Sequence, residues 1–324
     1  MTTTHDDYPH PVPALANLRW KENWLFVVMA PEQGVYGVIH VNTEPMYDRA
    51  RFTCNMSVGG RLFKYEGETR FPAAWEGSHE LRDDAIKVRF AKPHERFELD
   101  IATGDLAAQV TFERTHPTFD FAACRSAAPE NPSFRELMTL GTNLPHDHHQ
   151  QALSSTGTVQ LSRAAPIAFS GAGYRDHSWC MRGDNLIAQH TFSGLLFPTR
   201  AIGVKTAVML ARPGTVAREG YVSDAQGARV VRSIDVETQG KGPDGMGELV
   251  RFKLRDVFGQ YLTVEADLTK RMASVPLVSE KPGATAAYRI VDSLCPITLI
   301  ETGETGLGHV ELGINPRLEA RDRS

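Results

Sequence analysis

AIKVRFAKPHERFELDIATGDLAAQVTFER, residues 85–114, decides the fold class. In AIKVRFA (85–91), FELDIA (97–102) and LAAQVTFER (106–114), apolar and polar side chains alternate. Alternation with a period of two sets one side of an extended chain against a core and the other toward water, as in an antiparallel sheet. An amphipathic helix would instead repeat roughly every 3.6 residues. Thr103-Gly104-Asp105 turns the chain between the second and third runs.

The same style extends outward in both directions. Upstream, WLFVVMA (24–30) ends at Pro31, and VYGVIHV (35–41) follows a Glu-Gln-Gly turn, which predicts a hairpin. FTCNMSV (52–58) runs into Gly59-Gly60 before RLFKYEG (61–67). Downstream, residues 115–145 lose the alternation and hold the one modest helical candidate, SFRELMTL (133–140). Strands resume with TVQLSRA (158–164), LIAQHTFSG (186–194), IGVKTAVMLA (202–211), ELVRFKLRD (248–256) and YLTVEADL (261–268), with a hairpin about Gln226-Gly227. The second half repeats the manner of the first, so two domains are expected, 1–160 and 161–324. Strand-rich chains with almost no helix must close or stack their sheets to hide the edges. Two tandem antiparallel β-barrel domains satisfy this and can hold an apolar ligand in the mouth; a pair of β-sandwiches fits the same pattern.

Composition narrows the partners. The hydrophobic fraction is 41% and the charged fraction 23%, enough to bury a core and typical of globular chains. A formal net charge of -4 with interspersed signs offers no basic stripe for nucleic acid. A neutral or apolar small molecule fits this balance better. No apolar run is long enough to span a bilayer, and MTTTHDDYPHPVPALANLRW lacks the apolar region of a signal peptide. Cys54, Cys124, Cys180 and Cys295 are scattered, with no CxxC pair, so a reducing cytoplasmic location is expected.

The densest chemistry lies in GAGYRDHSWCMR, residues 171–182. Read as a strand, it puts Tyr174, Asp176 and Ser178 on one face and Arg175, His177 and Trp179 on the other. An Asp and a His this close suit general acid/base work, and a desolvated Asp176 could keep its proton at neutral pH. An aromatic face could shield a developing cation. The plainer reading is a structural network of Arg, Asp and His beside a core Trp. In a regular strand, moreover, Asp176 and His177 cannot both face one pocket.

Gly173-Tyr174-Arg175-Asp176-His177-Ser178-Trp179, with Arg182 three residues on, resembles the GxRDHSWGxR motif of the tandem lipocalin-like superfamily. That superfamily contains the carotenoid 1,2-hydratases (hydroxyneurosporene synthases), the AttH-like proteins and fungal Diels–Alderases. The early Trp-Leu-Phe strand followed by GVYGVIH, His148 ahead of Gln150-Gln151 and Gly157-Thr158-Val159, and the closing GLGHVELG are similar to other family features. Cys180 stands where the family usually has Gly, so packing after Trp179 should differ. The resemblance implies two tandem lipocalin-like barrels, with the motif strand lining an apolar pocket at their interface. It implies an enzyme that hydrates, isomerises or cyclises an unsaturated, terpenoid- or polyene-like molecule without an organic cofactor. By the same resemblance Asp176 is the proton donor and His177 its partner; His148 is read, in preference to a metal ligand, as a second polar group facing the pocket. Tyr174 and Trp179 become pocket walls, and Arg175 and Arg182 a clamp or an anchor for a polar end. A monomer or homodimer is expected. The alternative is a non-catalytic carrier of a lipophilic ligand.

Other constellations rank lower. His146-Asp147-His148-His149 has metal-ligand residue types, but further ligands must come from elsewhere, and adjacent histidines are mostly loop or hydrogen-bonded residues, so no metal is assigned. Asp83-Asp84 lacks the DDxxD spacing, no serine sits in a GxSxG elbow, and GKGPDGMG (240–247) lacks the Lys-Ser/Thr of a phosphate loop. Cys180 beside His177 is read as packing rather than as a nucleophile.

Overall fold

The computed structural model describes residues 4–12, 20–72, 76–138, 146–162, 164–181, 187–209, 212–242, 246–279 and 288–315. The chain forms two compact units, one from residues 1–120 and 143–182, the other from 121–142 and 183–324. The fold is all-β, as the alternation implies. Among the described residues helix is confined to α1 (Ala122–Ala127), α2 (Phe134–Met138) and isolated 3-10 turns. The helix foreseen in SFRELMTL is present over Phe134–Met138, and Thr139 and Leu140 lie outside the described residues. Among the described residues no helix is long and apolar enough to cross a membrane.

The first unit is one antiparallel sheet. Its strands are β1 (Trp20–Ala30), β2 (Val35–Glu44), β3 (Arg49–Val58), β4 (Arg61–Arg70), β5 (Glu80–Arg82), β6 (Ile86–Lys92), β7 (Arg96–Ala102), β8 (Leu106–Arg114), β9 (Phe119–Asp120), β10 (His146–Leu161) and β11 (Ile167–Met181). Their order is β4-β3-β2-β1-β11-β10-β8-β7-β6-β5, with β9 on β10, so the sheet curls into a half-barrel with β4 and β5 at its edges. Edge strand β4, RLFKYEGETR, is rich in charge and largely exposed, which discourages pairing with another chain. Hairpin β1–β2 turns on Gly34 and hairpin β3–β4 on Gly59 and Gly60, all three at positive φ. Trp24, Phe26, Val28, Ile39, Phe52, Phe97 and Phe112 meet in the hollow of the curl. The intervening Leu25, Val27 and Met29 of β1 are buried on its other face, which is why WLFVVMA reads as an unbroken apolar run.

The second unit is a closed barrel. Its strands are β12 (Ile187–Leu196), β13 (Arg200–Met209), β14 (Arg212–Asp224), β15 (Gly227–Gln239), β16 (Leu249–Asp256), β17 (Tyr261–Asp267), β18 (Ala273–Ser279), β19 (Tyr288–Leu299) and β20 (Glu304–Ile314). Neighbours run β17-β16-β15-β14-β13-β12-β20-β19-β18, and pairing of Val264–Ala266 with Ile297–Leu299 joins β17 to β19. Eight strands so closed leave an interior that side chains can fill. Val204, Val222, Phe252, Val264, Ile297, Val310 and Leu312 do so. Residues 121–138 of the non-alternating stretch dock on this barrel. Phe134 N–H donates to Glu219 at 3.0 Å, and Lys205 pairs with Glu219 at 2.8 Å beneath the Phe121 and Phe134 rings.

Candidate active site

Strand β11 lies between β1 and β10, and the two registers fix where its side chains point. Trp24 stands opposite His177, and Phe26 opposite Arg175. Trp24 and Phe26 belong to the core of the half-barrel, so Arg175, His177 and Trp179 face that hollow. Leu25 stands opposite Asp176 and Val27 opposite Tyr174, which turns Tyr174, Asp176 and Ser178 to the other face. Both faces are buried here: Asp176 is 7% exposed and His177 0%.

On the outward face, Asp176 meets His148. In β10, Gln150 stands opposite Asp176 and His148 opposite Ser178, one pleat along. From there the His148 Nε2 reaches Asp176 Oδ2 in a hydrogen bond. Tyr174, fully buried, flanks the pair on the same side. So does Gln150, whose amide oxygen and nitrogen are buried without a hydrogen bond among the described residues. The structure thus joins two of the residues singled out from sequence, Asp176 and His148, and separates both from His177.

On the inward face, His177 has a different acid. Its Nε2 lies 2.9 Å from Glu22 Oε1, the same oxygen that holds His10 Nδ1 at 2.7 Å, while the His10 backbone N–H donates to Glu22 Oε2 at 3.0 Å. The ring of Trp24 stacks on His177 at 4.7 Å and that of His10 on Trp179 at 3.9 Å. Burial, and after it the charges of His10 and Arg175, push the His177 imidazole well below the usual histidine range. A neutral His177 can donate one proton to Glu22, which also accepts from the His10 backbone N–H. Trp179 belongs to this aromatic packing and stands on the opposite side of the strand from Asp176.

Arg175 is tied down as fully as His177. It pairs with Asp7 at 2.7 Å, donates to Gln151 Oε1 at 2.8 Å and to Thr118 Oγ1 at 3.2 Å, and lies over the Phe97 ring at 4.5 Å. Arg182 lies outside the described residues.

The residues that sequence reasoning missed are the partners, Glu22, Asp7, His10 and Gln151. Glu22 had a local signal. It occupies the core-facing register of Trp20-x-Glu22-x-Trp24-x-Phe26, and a carboxylate on an apolar face must be paired. Two groups of described side chains have ligand atoms close enough to surround one ion: His10, Glu22 and His177, and, in the barrel, Asp292, His309 and Glu311. Neither draws on the 146–149 run. There His148 is engaged by Asp176, while His149 faces the hollow, 3.9 Å from Asp120.

Comparison with known proteins places the chain. Residues 3–316 match the family model described as a domain of unknown function, DUF7064. The chain belongs to that family. No curated protein matches this DUF7064 member by sequence. Solved structures do match it by shape. An AttH-like protein from Nitrosomonas europaea superposes with a TM-score of 0.66 at 12% identity, covering 96% of each chain. CghA, crystallised with Sch210972, gives 0.63 at 13% identity over 91% of this chain and 88% of its own. Kievitone hydratase from Nectria haematococca gives 0.58 at 10% identity over 96% and 92%. The DUF7064 member therefore has the tandem lipocalin-like fold that its central motif implies.

Proposed function

We propose that this protein is an acid/base enzyme acting on an unsaturated, hydrophobic small molecule by hydration or dehydration, isomerisation or cyclisation. The observation that carries the reading is the buried hydrogen bond between Asp176 and His148 on one face of β10 and β11. Two groups with different proton affinities that share a proton out of water can give it up and recover it within one turnover. In a hydration, the pair transfers its proton to an alkene carbon, water adds to the resulting cation, and the oxygen's surplus proton returns to the pair. Loss of a neighbouring proton to the pair gives isomerisation, and attack by an internal alkene gives cyclisation. None of these steps needs an organic cofactor. Tyr174 would stand beside the developing cation. The Gln150 amide, buried and without a hydrogen bond among the described residues, is suited to holding the water or a substrate oxygen. Arg175 and His177 then act as scaffold behind the strand. A hydratase and a protein crystallised with a small molecule among the similar folds support this reading.

Ligands that co-purify with the protein, identified by mass spectrometry, supply the substrate class. Incubation of those compounds in deuterated water then reads the chemistry. The wild-type chain should place deuterium on carbon, and Asp176→Asn and His148→Gln should each lower that rate by about 100-fold or more while ligand still binds. Tight binding with no deuterium on carbon in the wild type would establish the lipophilic carrier instead.

A further inference from the structure

The second unit holds a polar cluster that the acid/base reading does not use. In the β19–β20 pair, Asp292 stands opposite Glu311 and Leu294 opposite His309, so the three polar side chains share a face. Val291, Val310 and Leu312 alternate with them and fill the barrel core, which puts the cluster on the outer face of the wall. His190 of β12 lies on that face too, since Phe192 stands opposite Glu311 and His190 two residues before it. His309 Nε2 is 2.7 Å from Asp292 Oδ1, and His190 Nε2 is 2.5 Å from Glu311 Oε1.

We propose that Asp292, His309 and Glu311 bind a divalent transition-metal ion of the zinc class, with His190 bracing Glu311. Three observations converge. First, one ligand atom from each of the three residues lies within 4.8 Å of the others. An ion with bonds of about 2.0–2.2 Å to nitrogen and oxygen draws such atoms to roughly 3.3 Å apart, a small adjustment. Second, Asp292 is 1% exposed and its Oδ2 makes no well-formed hydrogen bond among the described residues. A buried carboxylate oxygen without a donor is costly unless a cation or a proton stands beside it. Third, the two carboxyls crowd each other. Asp292 and Glu311 stand opposite each other in the β19–β20 register, so their side chains lie next to one another on one face. The mutual repulsion of two neighbouring carboxylates is relieved by a shared divalent charge. Imidazole with carboxylate oxygen suits zinc, with manganese and iron(II) as weaker competitors. Glu311 and His190 retain partial exposure, which leaves the ion a way in. This inference does not rest on Asp176 or His148.

The test uses the full chain, stripped with a chelator and dialysed. It is titrated with Zn2+ by calorimetry and with Co2+ by visible absorption. Saturable binding of a single ion with a d–d absorption band is expected. Asp292→Asn and Glu311→Gln should each weaken it by about tenfold or more. His10→Gln, which alters the other His/carboxylate group, should leave it unchanged. Near-UV circular dichroism confirms folding, and His309→Gln replaces either carboxamide variant if that variant does not fold. No saturable binding by the wild-type chain overturns the proposal, as does binding that survives the barrel substitutions or disappears with His10→Gln.

Discussion

Arg175 shows how much of the motif is spent on holding the strand in place. Its guanidinium is 1% exposed and Asp7, its partner at 2.7 Å, is 0% exposed. Removing one member of a buried pair leaves the other charge uncompensated, at a cost of about 3–5 kcal/mol. Arg175→Gln should therefore destabilise the fold by that order in urea unfolding; a loss below about 1 kcal/mol would show that Asp7 finds another counter-charge. The opposite placement of Asp176 and His177 was legible, because the direction of neighbouring side chains in a strand is a local property. Their partners were not. Asp7 and His10 come from a lead-in that carries no periodic signal, and Glu22 becomes adjacent to His177 only once β1 pairs with β11. His148 was legible as a polar group near the motif, but its bond to Asp176 depends on the β10–β11 register.

At the level of the strand, the glycines that open the motif have a packing reason. A Cβ on Gly171 would overlap the Met29 carbonyl oxygen across the β1–β11 ladder, and one on Gly173 would stand 2.8 Å from Phe112 Cδ1. A backbone carbonyl committed to a ladder cannot yield as a side-chain tip can. Gly171→Ala should thus cost about 1–3 kcal/mol and loosen β1 from β11. Gly104→Ala is the control, since a Cβ there meets nothing within 4 Å. Hydrogen exchange gives the readout: faster exchange at Val27–Ala30 in Gly171→Ala is expected, and equal protection in both variants would refute the steric account. The strands themselves were readable from alternation, yet β10 extends from His146 to Leu161, well upstream of the TVQLSRA run. Gln150, Gln151 and His149 mask it, because polar residues on a buried strand break the apolar period.

For the molecule as a whole, the buried histidines set an acid limit. Burial, then Arg175 and neighbouring histidines, pushes His149 well below its ordinary 6.5, as burial does for His177. Between the lowered folded value and 6.5 the unfolded chain binds the proton that the folded chain refuses, so stability is complete above about pH 6.5 and declines as pH falls. Each histidine should contribute up to about 1.4 kcal/mol per pH unit in that window. Urea unfolding from pH 7.5 to 5 should show the decline, and His149→Gln should make it shallower; an unchanged slope would place His149 among solvated groups. Fold class was legible from one 30-residue window because β6, β7 and β8 each turn alternate side chains to the core. Closure of the second sheet was not, since the β17–β19 pairing depends on how far the whole sheet curls.

The division of β11 between two faces has a consequence for how such a chain can change over time. Substitutions can alter the Asp176–His148 pair and the His177–Glu22 group one residue at a time. Gain or loss of a single residue between Gly173 and Asp176 would exchange the two sets, driving His177 outward and Asp176 into the aromatic hollow. The spacing of this segment is therefore under a stricter constraint than its composition: point changes can be absorbed singly, whereas a one-codon insertion or deletion disables both sides together.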